Sequence, residues 1–375
     1  MTVFSDAMRE ALLLTRAGEL RDATRVIRDA LRQRGTARPA APGWTAGSER
    51  ASFSPLPEPA LRLPLLPAND SRPGAEVSTP PAPGTKGRFI AGVFSNAAGT
   101  RAYKLWVPSA ASSARPLPLI VMLHGCTQDA DDFARGTRMN ECAERHGCYV
   151  LYPIQDGAAN PQRCWRWFDP AHQRRDSGEP SIVAGMVRQV AGEHDVDPDR
   201  VYAAGLSAGA AMAMVLGDTH PDVFAAVAVH SGLPLDVAGD VPSAFAAMAG
   251  RSQPRTATRT GAKSRPIPGM VIHGDADRTV RSGNGDAVAA QLIQRYEIDG
   301  HALRREVAVE PTHAKSCFFR ADGRLVVEQW VIKNGGHAWS GGALAGSYTD
   351  PAGPDASSRI VAFFLTHSQR DRSVH

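Results

Sequence analysis

Residues 201–219 read VYAAGLSAGAAMAMVLGDT. VYAA has strand character and AAMAMVL has helix character. Between them, Gly205-Leu206-Ser207-Ala208-Gly209 satisfies G-x-S-x-G. A serine on so sharp a strand-to-helix turn lifts its hydroxyl clear of both elements. Glycine on either side lets strand and helix approach without a Cβ clash. The setting makes Ser207 the candidate nucleophile of an acyl transfer; the bland alternative is a surface serine in a glycine-rich turn.

The text on both sides supports a fold that needs such a turn. LPLIVMLHG (117–125), CYVLYP (148–153), FAAVAVHSG (224–232), GMVIHG (269–274) and LVVEQWVI (325–332) are short apolar runs of the kind found in buried parallel strands. Helical patterns fall between them, at about 137–147, 181–194 and 283–296, with SSRIVAFFLTH (357–367) closing the chain. RFIAGVF (88–94) and RAYKLWVP (101–108) read as two paired strands ahead of the rest. Residues 233–266 read as an Ala/Ser/Arg/Pro-rich insertion. Strands alternating with helices imply a mostly parallel central sheet with helices on both faces, and with the G-x-S-x-G turn the expectation is an α/β-hydrolase fold. Its ligands would sit at the carboxyl ends of the strands.

In this arrangement the acid and the base follow the serine along the chain. Two acids compete after the strand GMVIHG, Asp275 and Asp277. Asp277 lies further into the loop and is preferred; Asp275 would bond its own backbone as an Asx turn. Of the five later histidines, His301, His313, His337, His367 and His375, only His337 directly follows an apolar strand, in Asn334-Gly335-Gly336-His337. It is the candidate base, on a loop whose glycines would let the imidazole swing over Ser207. The developing oxyanion needs preorganised N–H donors. The backbone of Ala208 and of Cys126, after the strand ending in His124-Gly125, are the candidates. His124 itself is expected to pack beneath that loop. Trp165, Trp167 and Trp339 either wall an apolar substrate slot or plug the core. No metal or cofactor is called for.

Composition bounds the rest. The chain has 375 residues, 43% hydrophobic and 21% charged, with a net charge of +4. That suits a globular protein and speaks against a nucleic-acid partner, which would show a basic stripe. No run is long and apolar enough for a transmembrane segment, and the first residues lack a secretory pattern, so a cytoplasmic protein is expected. Residues 1–34 read as a helical hairpin that must dock on its own chain, on a partner or on an apolar surface. Residues 35–87, rich in proline as in SPLPEPALRLPLLP (54–67), read as a disordered linker. The catalytic domain is expected over 88–375. The five cysteines show neither C-x-x-C nor zinc spacing.

Taken together, HGCTQ (124–128), NPQRCWRWF (160–168), GLSAG (205–209), HSGLP (230–234), HGDADRTV (273–280) and GGHAWSGG (335–342) resemble the poly(3-hydroxybutyrate) depolymerase family of esterases. The resemblance runs in order over about 88–367. It implies hydrolysis of short-chain hydroxyalkanoate esters, with Ser207 as nucleophile, Asp277 as acid and His337 as base. It also implies a disulfide between Cys126 and Cys164. The chain looks most similar to intracellular depolymerases, with the N-terminal hairpin contacting polymer granules. Feruloyl and acetylxylan esterases share the superfamily and are the rival reading; a non-catalytic granule-surface protein is a second.

Overall fold

The computed structural model describes residues 87–112, 115–252 and 265–373, together with Val26. The expected hairpin (1–34) and linker (35–87) therefore lie outside the described residues, Val26 and Gly87 apart.

Ten strands form one sheet: β1 (Arg88–Asn96), β2 (Gly99–Val107), β3 (Leu117–Leu123), β4 (Tyr149–Pro153), β5 (Val196–Leu206), β6 (Ala226–His230), β7 (Gly269–Gly274), β8 (Arg304–Val309), β9 (His313–Phe319) and β10 (Leu325–Ile332). Their order is β1-β2-β4-β3-β5-β6-β7-β10-β9-β8. The six strands from β4 to β10 run parallel, and antiparallel pairs flank them. Every residue of β3, β4, β6 and β7 is buried, which is why these strands read as unbroken apolar runs. Side chains alternate across the sheet. Leu119 and Val121 enter one core with Val183, Met186 and Met212; Ile120 and Met122 enter the other with Phe133, Met139 and Phe364. Burying a side chain of this size contributes about 1.5–3 kcal/mol, so the two cores fix the layering.

The helices that bear on the site are α1 (Ala130–Thr137), α2 (Met139–His146), α3 (Gly178–Glu193), α4 (Ala208–Thr219), α5 (Val241–Met248), α6 (Gly283–Ile298) and α7 (Ala356–Leu365). The helix expected over about 137–147 is α2, and α1, which was not expected from the sequence, precedes it. Arg138 separates the two, with a φ of 53° that no helix continues through. The strands β8 and β9 lie in a stretch that the sequence left unassigned. β8, RREVAV, is an exposed edge strand, so it carries no apolar alternation. Helix α5 lies inside the 233–266 insertion. Asp240 accepts from Ser243 N–H while the Ser243 hydroxyl accepts from Asp240 N–H, a capping box that starts α5. The helix is fastened by backbone: Ala247 O accepts from the Asn284 side chain, and Met248 O accepts from Arg281 N–H.

Ser207, Asp277 and His337 follow β5, β7 and β10 and so share the carboxyl edge of the parallel strands. This is the α/β-hydrolase architecture. No helix among the described residues is long and apolar enough to cross a membrane.

Candidate active site

Ser207 joins β5 to α4 with φ 57° and ψ −121°, and its N–H donates to His230 O at 2.9 Å. A non-glycine residue held there stores about 1–3 kcal/mol of strain, which the surrounding core maintains. The flanking glycines are required by contact. A Cβ at Gly205 would fall 2.4 Å from Gly209 C, and one at Gly209 would fall 2.1 Å from Leu123 O.

His337 Nδ1 donates to Asp277 Oδ2 at 2.7 Å. A carboxylate only accepts, so the proton sits on Nδ1 and Nε2 is left as the basic nitrogen. Asp277 Oδ1 accepts from Thr279 N–H and Val280 N–H, each at 2.9 Å. Burial alone would raise the Asp277 pKa. The neighbouring His273 imidazole and the hydrogen bond from His337 outweigh it and hold the carboxyl well below its ordinary range.

Asp275 is placed differently from the expected Asx turn. Its carboxylate accepts from Asn334 N–H, at 2.7 Å, on the loop that carries His337. Asp275 N–H donates to Ile332 O and Ala276 N–H to Gly335 O, so the acid and base loops are laced together. The glycines here serve close approach: a Cβ at Gly274 would fall 2.1 Å from Gly335 O.

Cys126 sits in a turn in which Gln128 Oε1 accepts from Gly125 N–H at 2.9 Å. Thr127 adopts φ 67° and its N–H donates to Gln162 O. Cys126 is disulfide-bonded to Cys164, with Cα atoms 4.3 Å apart and a sequence separation of 38. In the chain-entropy description, closing such a loop stabilises by about 4 kcal/mol. Beneath it, His124 is fully buried. Its Nε2 accepts from Gln155 N–H at 3.1 Å, so Nδ1–H donates to Gly125 O at 2.7 Å. The imidazole supports the turn, as expected. Gln155 in turn donates to the buried Glu179 and to Cys164 O, tying both cysteine loops to α3.

A pocket of about 480 Å³ opens over the serine. Ser207, His337, Cys126 and Ala208 line it, with Trp167 and Phe168 on the wall. Of the three tryptophans, only Trp167 lines this pocket; Trp165 and Trp339 are corrections to the slot reading. Trp165 is buried and donates its indole N–H to His124 O at 3.1 Å. Trp339 is buried too, stacks on His230 and donates to Ser357 Oγ at 3.0 Å. Each indole has its polar partner inside the protein, so both act as plugs. The wall that the sequence missed is α5. Val241, Ala244, Phe245 and Met248 recur at helical spacing and all line the pocket, and Phe245 is still 65% exposed. The Asp-Val-Pro-Ser cap at 240–243 was the signal that could have found it.

Two buried imidazoles here give a pH dependence. Burial pushes His124 down to about 4. Burial, and then the neighbouring His273 and His337, push His230 down to about 3. Unfolded, each would titrate near 6.5, so the unfolded chain binds more protons as pH falls. Their contribution is complete above that value and is lost as pH drops toward the folded values. The urea midpoint should therefore be lower at pH 4.5 than at pH 7; an unchanged midpoint would count against this burial.

Residues 101–310 match the family described as Esterase PHB depolymerase. Poly(3-hydroxyalkanoate) depolymerase C of Paucimonas lemoignei is 34% identical over 229 residues, 59% of this chain and 54% of that protein. Poly(3-hydroxybutyrate) depolymerase of Ralstonia pickettii is 29% identical over 240 residues, 60% of this chain and 48% of that protein. The chain thus spans about half the length of these curated relatives. Probable acetylxylan esterase A of Aspergillus fumigatus is 31% identical over 141 residues, 37% of this chain and 36% of that protein. Among solved structures, an acetyl xylan esterase from Aspergillus awamori superposes with a TM-score of 0.55 at 18% identity, covering 71% of this chain and 94% of that one, a likeness of fold. With more than half of its length matched, the chain belongs to the PHB depolymerase esterase family.

Proposed function

We propose that this protein is a serine ester hydrolase that cleaves short-chain poly(3-hydroxyalkanoate), or its oligomers, through an acyl-enzyme. The observation that carries the reading is the Asp277–His337 hydrogen bond at a pocket shared with Ser207 on its strained turn. His337 Nε2 takes the Ser207 hydroxyl proton as Oγ attacks the ester carbonyl. Backbone N–H groups of Cys126 and Ala208 receive the oxyanion. His337 returns the proton to the leaving alcohol and then activates water, which releases the hydroxy acid. Asp277 holds the imidazole in the useful tautomer and stabilises its cation.

The test is incubation with native amorphous poly(3-hydroxybutyrate), measuring released 3-hydroxybutyrate, alongside feruloyl and acetylated-xylan esters. Release from the polyester supports the reading; turnover of the aryl or xylan esters alone transfers it to that class. No turnover of any ester leaves a granule-surface protein. The apolar α5 wall favours the polyester.

A cytoplasmic, granule-associated setting is part of the proposal, with residues 1–34 as the granule contact. Deleting 1–86 should leave hydrolysis of soluble p-nitrophenyl esters unchanged and weaken attack on granules. Equal loss on both substrates would instead assign the hairpin to stability.

A further inference from the structure

Asp277 meets a second imidazole. His273 lies on β7, four residues before the acid, and is buried. Its Nε2 stands 2.8 Å from Val280 O and 3.4 Å from Asp277 Oδ2, the oxygen that also accepts from His337. A carbonyl oxygen only accepts, so Nε2 carries the proton and Nδ1 is the bare acceptor. That Nδ1 is buried without a hydrogen-bond partner. An unpaired buried acceptor costs stability, and an apolar side chain of similar volume would avoid the cost. The fold nevertheless makes room for the ring. α6 meets it at Gly285, where a Cβ would fall 2.8 Å from Nδ1. What the imidazole offers in return is its other nitrogen.

We propose that His273 is a positioning residue for the catalytic acid, its Nε2–H bridging Val280 O and Asp277 Oδ2. The inference rests on the triad proposed above. The amides of Thr279 and Val280 pin Oδ1. Oδ2 must still point at His337 Nδ1, and His273 bounds it from the strand side. The Val280 carbonyl ties the far end of the acid loop to the same ring, so one N–H fixes both loop and carboxylate. His273 does not line the pocket described above and acts on the reaction only through Asp277.

His273→Leu, His273→Asn and His273→Gln separate this role from packing. Leucine keeps the volume and removes the N–H. Asparagine carries an amide that stops at the position of Nδ1, whereas glutamine reaches the position of Nε2. On one soluble ester, kcat of H273L and H273N should fall on the order of 10–100-fold, as for a misplaced catalytic group, with KM within about twofold. H273Q should recover most of the loss. In H273L the orphaned Nδ1 is gone but so is the donor to Val280 O, so the two changes oppose each other and the melting temperature should stay near that of the parent. A packing role would instead lower the melting temperature and spare kcat. The proposal is overturned if H273L turns over within about twofold of the parent, or if H273Q is no better than H273N. The glutamine–asparagine comparison decides even if the leucine variant does not fold. Turnover by the parent, with its loss in a Ser207 variant, tests the triad separately.

Discussion

Ser207→Ala should lower kcat for ester hydrolysis by a factor on the order of 10⁴–10⁶ while the protein stays folded. The size follows from chemistry. Without Oγ there is no acyl-enzyme, and water must attack directly with help only from the oxyanion donors and from binding. Folding should survive because alanine keeps the Cβ, and the turn is held by Ser207 N–H to His230 O and by Gly205 against Gly209, none of which uses the hydroxyl. The check is single-turnover kinetics on p-nitrophenyl butyrate, with circular dichroism and the melting temperature measured on the same preparation. Activity within tenfold of the parent, in protein free of contaminating esterase, would remove Ser207 from the mechanism.

Asp277→Asn should cost on the order of 10⁴ in kcat, against less than about tenfold for Asp275→Asn. The two acids are two residues apart and do different work. Asp277 Oδ2 is the acceptor for His337 Nδ1–H. An amide there can present its own N–H to the ring, favouring the tautomer with the proton on Nε2, which cannot act as base. It also removes the charge that stabilises the imidazolium. Asp275 receives a backbone N–H from Asn334, and an asparagine carbonyl oxygen accepts that bond equally well. The pair should be measured on one soluble ester across pH; the reverse ranking would move the acid to position 275.

Much of the layout was legible because its signals are backbone requirements. β3, β6 and β7 are covered on both faces, so they read as unbroken apolar runs. The GLSAG turn declares itself because glycine is needed where Gly205 meets Gly209. Asp277 and His337 were traceable from their position just past buried strands. What stayed hidden depends on partners far away in sequence. Nothing local says that Asp275 reaches Asn334, or that the Trp165 and Trp339 indoles find acceptors in the core and leave the pocket wall. β8 is too charged and exposed to announce a strand. His273 read only as part of a strand end. Its role emerges from a carbonyl seven residues on and from a glycine in α6.

Because α5 is fastened through main-chain carbonyls of Ala247 and Met248 and through the buried Ala244 and Ala247, its exposed pocket-facing side chains, Val241 and Phe245, have little part in holding the helix. Val241 and Phe245 can therefore drift under selection without loosening the loop that carries the acid. The fold separates what is accepted from how it is cut. A library confined to those two positions would explore substrate range on an unaltered catalytic chassis, and close paralogues could part ways in diet by changing little else.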